Sequence, residues 1–218
     1  MEIKYFVRTI GNREINIPID YELIIDKEHK YTKSYIDALY KINDYNAVLM
    51  EDDIVLCKNF KEEIEKVINE HPTDIINFFS RPKDYFTTHY TNSFVYNQCT
   101  YFPKGLTKLL ADEMMKCYIP EERVHRRIQR YGSLLCSVLI QLGIPHINYR
   151  PTLVQHIDKN STYDGLTMMR NTIYFKDYLD EIGIDMTQAY SLENRKKLKE
   201  LLDADRKKWY GEFEDDNF

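Results

Sequence analysis

Residues 47–56 have the sequence AVLMEDDIVL, in which two short apolar runs enclose three consecutive acids. An unbroken apolar run such as residues 47–50 is typical of a strand buried on both faces, as in a parallel or mixed sheet. Patterns typical of strands and of helices alternate around it through the first half of the chain, and this alternation predicts an α/β fold. The stretch therefore predicts the fold class and places three carboxylates at the end of a buried strand.

Outward from this strand, local periodicity predicts the other elements. Further strands are predicted at residues 3–10, 21–26, 74–79, 94–102, 146–149 and 152–155. Helices are predicted at residues 31–42, 60–70, 103–114, 121–142, 172–182 and 191–209. Asn59 and Glu62 form a capping-box pattern before the second helix, Gly143 is placed as a C-cap, and Gly132 as an interruption. Residues 81–96 show no clear period and are predicted to be mostly loop.

The C-terminal part is predicted to be a helical extension, residues 166–218, packed on a catalytic domain of residues 1–165. Its last helix is charged on most faces. Two interpretations of Leu198, Leu201 and Leu202 stay open. They either pack this helix on the domain or form a homodimer contact.

Length and composition limit the class of protein. A chain of 218 residues with 43% hydrophobic residues suits one domain with a sizeable core. No run of about 18 apolar residues occurs, and Glu2 and Lys4 lie where a signal peptide needs its apolar region. We expect a cytoplasmic protein whose four cysteines are reduced thiols, since they include no C-x-x-C pair. The net charge of -5 argues against a protein that mainly grips a nucleic-acid backbone.

The three acids Glu51, Asp52 and Asp53 predict a metal and nucleotide site. Carboxylates that follow a buried strand are costly unless a positive partner meets them. Mg²⁺ and Mn²⁺ bind carboxylate oxygens and leave room for substrate phosphates. In an extended chain Glu51 and Asp53 project to the same side, so both can address one ligand. The alternative is a solvated acidic turn. The seven glycines form none of the common phosphate-binding loops, so a bound nucleotide must be held by other means.

The sequence MEDDIVLCKNF, residues 50–60, resembles the D-x-D-type motif of GT-A glycosyltransferases, especially the EDD variant of the lipopolysaccharide-type glycosyltransferase family. The resemblance implies a GT-A-like, Rossmann-like mixed sheet flanked by helices, with a nucleotide-binding first half. It also implies that Asp53 ligates a metal on the donor diphosphate and that Glu51 lies towards the ribose. Asp52 would support either role.

A second stretch, PTLVQHIDKNS at residues 151–161, resembles the late P-x-L-V-x-H element of several such families. The resemblance implies that His156 completes the metal or diphosphate site and that Lys159 and Ser161 contact the phosphates. A neutral imidazole is a competent ligand. The alternative is an ordinary core or surface histidine.

The first half of the chain supplies further candidates for the nucleoside. Arg8 and Thr9 end the first predicted strand and Asp26 ends the second, where the GT-A fold contacts the nucleoside. Each can equally be a strand-end residue that faces water. Residues 97–110, NQCTYFPKGLTKLL, also resemble the strand and helix after the motif. The resemblance covers roughly residues 3–161.

The sequence departs from the family pattern at the catalytic base. In many relatives an acid opens the helix before the late strand, but residues 130–133 are Arg-Tyr-Gly-Ser. An inverting transfer needs a general base within hydrogen-bond reach of the acceptor hydroxyl. Glu121, Glu122 and Asp84 are the candidates. Otherwise the mechanism is retaining, or activity is lost.

The combined expectation is a metal-dependent glycosyltransferase that uses Mn²⁺ or Mg²⁺ and a nucleotide-sugar donor, with a UDP-sugar as the leading candidate. The acceptor can be a glycan, a protein side chain or a modified nucleobase. Two alternatives stay open. One is a nucleotidyltransferase that makes a nucleotide sugar, which would usually show a Gly-rich N-terminal loop followed by Arg, and the chain offers Gly11-Asn12-Arg13. The other is a catalytically silent GT-A-like binding module.

Overall fold

The structure is a computed structural model that describes residues 1–11, 13–79, 89–91, 97–120, 123, 130–157 and 171–210. Its strands are β1 (Ile3–Thr9), β2 (Glu22–Ile25), β3 (Asn46–Glu51), β4 (Ile54–Leu56), β5 (Ile75–Asn77), β6 (His89–Thr91), β7 (Cys99–Phe102), β8 (His146–Asn148) and β9 (Val154–His156). Its helices are α1 (Tyr31–Ile42), α2 (Phe60–Glu70), α3 (Thr107–Cys117), α4 (Tyr131–Leu142), α5 (Lys176–Ile182) and α6 (Leu192–Tyr210).

The main sheet is mixed and has the strand order β2-β1-β3-β7-β5-β8-β6. Strands β2, β1 and β3 are parallel neighbours, and β8 is parallel to β5. Strand β7 lies between β3 and β5 and is antiparallel to both, and β6 is antiparallel to β8. The carboxyl ends of β1, β2, β3, β5 and β8 therefore meet at one edge, which we call the carboxyl edge. Strands β4 and β9 form a separate antiparallel pair.

Helices cover both faces of the main sheet, which confirms the predicted α/β class. In β3, Val48 and Met50 belong to one buried cluster while Ala47 and Leu49 belong to the other. The first cluster includes residues of α2, α5 and α6, and the second includes residues of α1, α3 and α4. These four side chains of β3 are all buried. The prediction of a strand buried on both faces is therefore confirmed.

The C-terminal helices share a core with the rest of the chain. Leu198 and Leu202 of α6 are buried in the same cluster as β3 and α2, and Leu201 packs against it partly buried. The burial of Leu198 and Leu202 agrees with packing of this helix on the domain, and a homodimer contact through α6 stays a prediction. Among the described helices, none is both long enough and apolar enough to cross a bilayer.

Several predicted element boundaries were wrong. Asn59 adopts the left-handed conformation and makes no side-chain capping hydrogen bond, so the capping box is absent. Helix α4 begins at Tyr131 after an extended Arg130, so Gly132 lies in the first turn and does not interrupt a longer helix. Helix α3 begins at Thr107 and α5 at Lys176, each four residues later than predicted. Strand β6 lies inside the stretch predicted as mostly loop. The C-cap at Gly143 is confirmed, with φ at 65°.

Candidate functional site

The candidate site lies at the carboxyl edge, where β1 and β3 end side by side. Arg8 and Thr9 are the last residues of β1, and Glu51 is the last residue of β3. Asp52 and Asp53 follow as a bend before β4. The parallel register pairs Arg8 directly with Glu51. The pairing of these two strands therefore brings together residues from two separate stretches that the sequence had singled out.

Glu51 is held by two side chains inside the protein. Nη2 of Arg8 donates to both carboxylate oxygens of Glu51, at 2.8 and 3.0 Å, and the Tyr131 hydroxyl donates to Oε1 at 2.9 Å. The Arg8 side chain is 1% exposed and that of Glu51 is 15% exposed. Burial raises the pKa of Glu51, and the charge of Arg8 together with both hydrogen bonds opposes this rise. A contact between Glu51 and a ribose stays a prediction, but the structure gives this carboxylate internal partners.

Aromatic rings surround the Arg8 guanidinium. Its Cζ lies 4.7 Å from the ring centroid of Tyr131, 5.4 Å from that of Tyr31 and 5.5 Å from that of Tyr35. The rings of Tyr35 and Tyr131 stack with centroids 4.3 Å apart. A cation over aromatic faces is stabilised by the ring quadrupoles, more so when water is excluded. Tyr131 was not found from the sequence, since its contact with Glu51 joins residues 80 positions apart.

Asp52 faces a different set of partners. The Thr9 hydroxyl donates to Oδ2 of Asp52 at 2.5 Å and accepts the backbone N–H of Gly11 at 2.9 Å. Nη1 of Arg13 lies 3.5 Å from Oδ1 of Asp52. Burial raises the pKa of Asp52, and the Thr9 hydrogen bond and the charge of Arg13 oppose it. Thr9 therefore links the end of β1 to the acidic bend.

Asp53 faces His156, the other residue assigned to a metal. Nε2 of His156 lies 3.2 Å from Oδ2 of Asp53, and Nη1 of Arg13 lies 3.4 Å from the same oxygen. The β4–β9 pair fixes this geometry, because it pairs Ile54 with His156. The backbone N–H of Ile157 also donates to the Asp53 carbonyl at 2.9 Å. Since the chain bends at Asp52 and Asp53, the side chains of Glu51 and Asp53 meet different partners within the protein, and a ligand shared by both stays a prediction.

The donor atoms of Asp53 and His156 fit a divalent cation. Within the described ranges, no group of three or more His, Cys, Asp or Glu residues could hold a metal ion. Two donors 3.2 Å apart can nevertheless both lie about 2.1 Å from one ion, the ordinary ligand distance for nitrogen and oxygen. Mg²⁺-like ions often take one or two protein ligands and complete their shell with water and substrate phosphates. Beyond these two side chains, a cation at this position would thus depend on ligands other than the described residues, such as water and substrate phosphates.

Asp26 lies beside the cluster, immediately after the neighbouring strand β2. Its backbone N–H donates to the Thr9 carbonyl at 2.8 Å, and its Oδ1 accepts the backbone N–H of Lys30 at 3.1 Å. Asp26 is buried and also lines a cavity of about 440 Å³ between β2 and α1. The structure therefore gives it a role in the turn before α1, and a nucleoside contact stays a prediction. The remaining candidates lie outside the described residues: Lys159, Ser161, Glu121, Glu122 and Asp84.

Fold and site together define an α/β protein with a cluster of paired charges at the carboxyl edge of its mixed sheet. No protein-family model matches the chain, and a search of curated proteins likewise finds no match. The resemblance to GT-A glycosyltransferases therefore rests on the two motifs, and function must be argued from the site.

Proposed function

We propose that this protein is a metal-dependent glycosyltransferase of the GT-A type, which moves a sugar from a nucleotide-sugar donor to an acceptor hydroxyl. The contact between Asp53 and His156, 3.2 Å long, is the observation that carries the proposal. Each residue was assigned to the metal from a separate stretch of sequence. Their proximity supports both assignments, because a chance resemblance in either stretch would not require the two side chains to meet.

The proposed roles follow from the partners of each carboxylate. Asp53 and His156 would hold the cation, and one imidazole with one carboxylate suits Mn²⁺ better than Mg²⁺. A bound cation would supply Lewis-acid neutralisation of the charge on the diphosphate leaving group. Glu51 and Asp52 have partners of their own at Arg8 and Thr9. These two acids would fix the bend that carries Asp53.

The donor and the acceptor are the less defined part of the proposal. A UDP-sugar is the leading donor candidate, and a glycan, a protein side chain or a modified nucleobase can supply the hydroxyl. An inverting transfer would require Glu121, Glu122 or Asp84 to take the proton of that hydroxyl. A retaining transfer would not require a general base beside the acceptor hydroxyl.

Thermal melting in the presence of UDP, GDP, CMP or TDP, each with Mn²⁺ or with EDTA, tests the donor site. A ligand that binds only the native state raises its melting temperature. We expect one nucleotide to raise it with Mn²⁺, and we expect EDTA, Asp53→Asn and His156→Gln each to remove the shift.

The chain offers a matched control for these variants. His71 and Asp74 form another histidine–aspartate pair just after α2, with Nδ1 and Oδ2 3.5 Å apart. His71→Gln and Asp74→Asn should leave the nucleotide shift unchanged. A full shift in Asp53→Asn would exclude Asp53 as a metal ligand, and flat curves in the wild type would favour the silent binding module.

One observation favours the nucleotidyltransferase as the second candidate. Arg13, which follows Gly11-Asn12, lies against Asp52 and Asp53. The segment that partly matches the Gly-rich loop of nucleotidyltransferases is therefore close to the acidic cluster in the fold. The two reactions release different products. A nucleotidyltransferase would release pyrophosphate from a nucleoside triphosphate and a sugar phosphate, whereas a glycosyltransferase would release a nucleoside diphosphate from the nucleotide sugar.

A further inference from the structure

Arg13 contacts both acids of the bend. It lies in the segment between β1 and β2, and its Nη1 is 3.5 Å from Oδ1 of Asp52 and 3.4 Å from Oδ2 of Asp53. Its side chain is 20% exposed, so the guanidinium lies at the surface of the cluster. The proposed chemistry gives Arg13 no role.

The contacts of Arg13 overlap with those of the proposed cation. Oδ2 of Asp53 is the oxygen nearest to His156 Nε2, and it is also the oxygen that Arg13 contacts in this acid. A divalent ion between Asp53 and His156 would bring two positive charges close to the guanidinium. Like charges at a few ångströms repel, so the ion and the present position of Arg13 oppose each other.

We propose that Arg13 is the counter-cation of Asp52 and Asp53 in the metal-free protein, and that it binds the donor diphosphate once a metal occupies Asp53 and His156. This inference rests on the proposed function. A guanidinium released from a carboxylate keeps its planar set of donors, which matches phosphate oxygens in the same two-pronged way. A donor diphosphate bound to the same cation would offer such oxygens.

Two consequences follow for binding. Arg13 weakens the binding of metal alone, because the ion must displace a cation from Asp53. It strengthens the binding of a nucleoside diphosphate in the presence of metal, because it then contacts the phosphates. Metal and nucleotide consequently favour each other's binding, and linkage requires this coupling to be reciprocal.

Titration calorimetry with Mn²⁺ alone, and with UDP at saturating Mn²⁺, tests the inference without any measurement of turnover. Arg13→Gln should bind Mn²⁺ alone about five- to tenfold more tightly and UDP about tenfold more weakly, changes typical of a single coupled contact. Arg13→Lys keeps the charge and loses the planar fork, so it should bind Mn²⁺ like the wild type and UDP more weakly. Arg195→Gln removes an exposed arginine from α6 and should match the wild type in both titrations.

The outcomes separate this inference from the proposal on which it rests. A wild type that binds Mn²⁺ and UDP, with an Arg13→Gln variant that matches it in both titrations, would overturn the role of Arg13 alone. Weaker Mn²⁺ binding in Arg13→Gln would also overturn it. A wild type that binds neither Mn²⁺ nor UDP would overturn both. Melting temperatures of the variants, measured without ligands, establish whether each is folded. If Arg13→Gln does not fold, UDP binding by Arg13→Lys still tests the phosphate contact.

Discussion

Arg8 and Glu51 are direct register partners in two parallel strands, and their side chains form a largely buried ion pair 2.8 Å long. The Tyr131 hydroxyl adds a hydrogen bond from α4 to the same carboxylate. A buried pair of this kind contributes little net stability, because removing two charges from water opposes their attraction. Its effect is to fix geometry: β1, β3 and the start of α4 meet at one carboxylate, immediately before the bend that carries Asp53.

Removing one partner of this ion pair should be strongly destabilising. Arg8→Met leaves Glu51, whose side chain is 15% exposed, without its cation, and we expect the free energy of unfolding to fall by about 3 kcal/mol, the lower end of the range for a fully buried pair. The double variant Arg8→Met, Glu51→Gln removes the stranded charge and should recover much of the loss. Urea unfolding measures the free energy of unfolding of the single and the double variant.

The same strand provides a matched control for Arg8. Lys4 of β1 pairs with Glu22 at 3.4 Å, but both side chains are substantially exposed, at 34% and 50%. Lys4→Met should therefore lower the free energy of unfolding far less than Arg8→Met. Equal losses for Arg8→Met and Lys4→Met would contradict the description of Arg8 and Glu51 as a buried pair.

The Thr9 hydroxyl should matter more than the Thr9 methyl group. The hydroxyl donates to Asp52 and accepts from the Gly11 backbone in two part-buried hydrogen bonds, so Thr9→Val leaves the Asp52 carboxylate and the Gly11 N–H without this partner. We expect Thr9→Val to lower the free energy of unfolding by about 1–3 kcal/mol and Thr9→Ser to lower it much less. If urea unfolding gives a larger loss for Thr9→Ser than for Thr9→Val, packing of the methyl group is the dominant contribution.

Local elements were predictable because their signals are local. Helix α1 has the predicted bounds, and β3 was identified from four consecutive apolar residues, which bury on both faces. The position of β7 between β3 and β5 was not predicted. Strand order depends on contacts between distant parts of the chain, and no single stretch of sequence records it.

The site was predictable residue by residue but not as an arrangement. Asp53 and His156 were assigned to one site through resemblance, and the structure brings them together. Arg8 and Glu51 were assigned separately, because the register that pairs them is a property of the folded sheet. The contact of Tyr131 with Glu51 depends on the start of α4, which the helical periodicity placed too early.

Contact with Asn97, and not the helical conformation, should limit which side chains are tolerated at position 132. A Cβ on Gly132 would lie 2.9 Å from Oδ1 of the buried Asn97. Alanine normally stabilises a helix by about 1 kcal/mol over glycine, so Gly132→Ala should fail to show this gain in the wild type. In the Asn97→Ala background, where the close contact is absent, the gain should appear. Urea unfolding of the wild type, the two single variants and the double variant gives the coupling free energy between the two substitutions. A coupling of zero would show that the Asn97 side chain adjusts freely to the added methyl group.

Buried tyrosines should make the protein lose stability in alkali. Burial raises the pKa of Tyr101 to about 12 from an ordinary value of 10.0, and it raises the pKa of Tyr131 well above that value. The unfolded chain therefore releases these protons first. The free energy of unfolding is therefore unaffected by these groups below pH 10 and falls as the pH rises towards 12. The slope is up to about 1.4 kcal/mol per pH unit for each such tyrosine.

Urea unfolding between pH 8 and pH 12 measures this loss, and Tyr101→Phe isolates one contribution to it. The Tyr101 hydroxyl donates to the Pro72 carbonyl at 2.8 Å, so the variant should be less stable by about 1 kcal/mol at pH 8. Because it has one fewer phenol to titrate, its stability should fall less steeply above pH 10. Parallel slopes for the variant and the wild type would mean that Tyr101 ionises in the folded protein at its ordinary pKa.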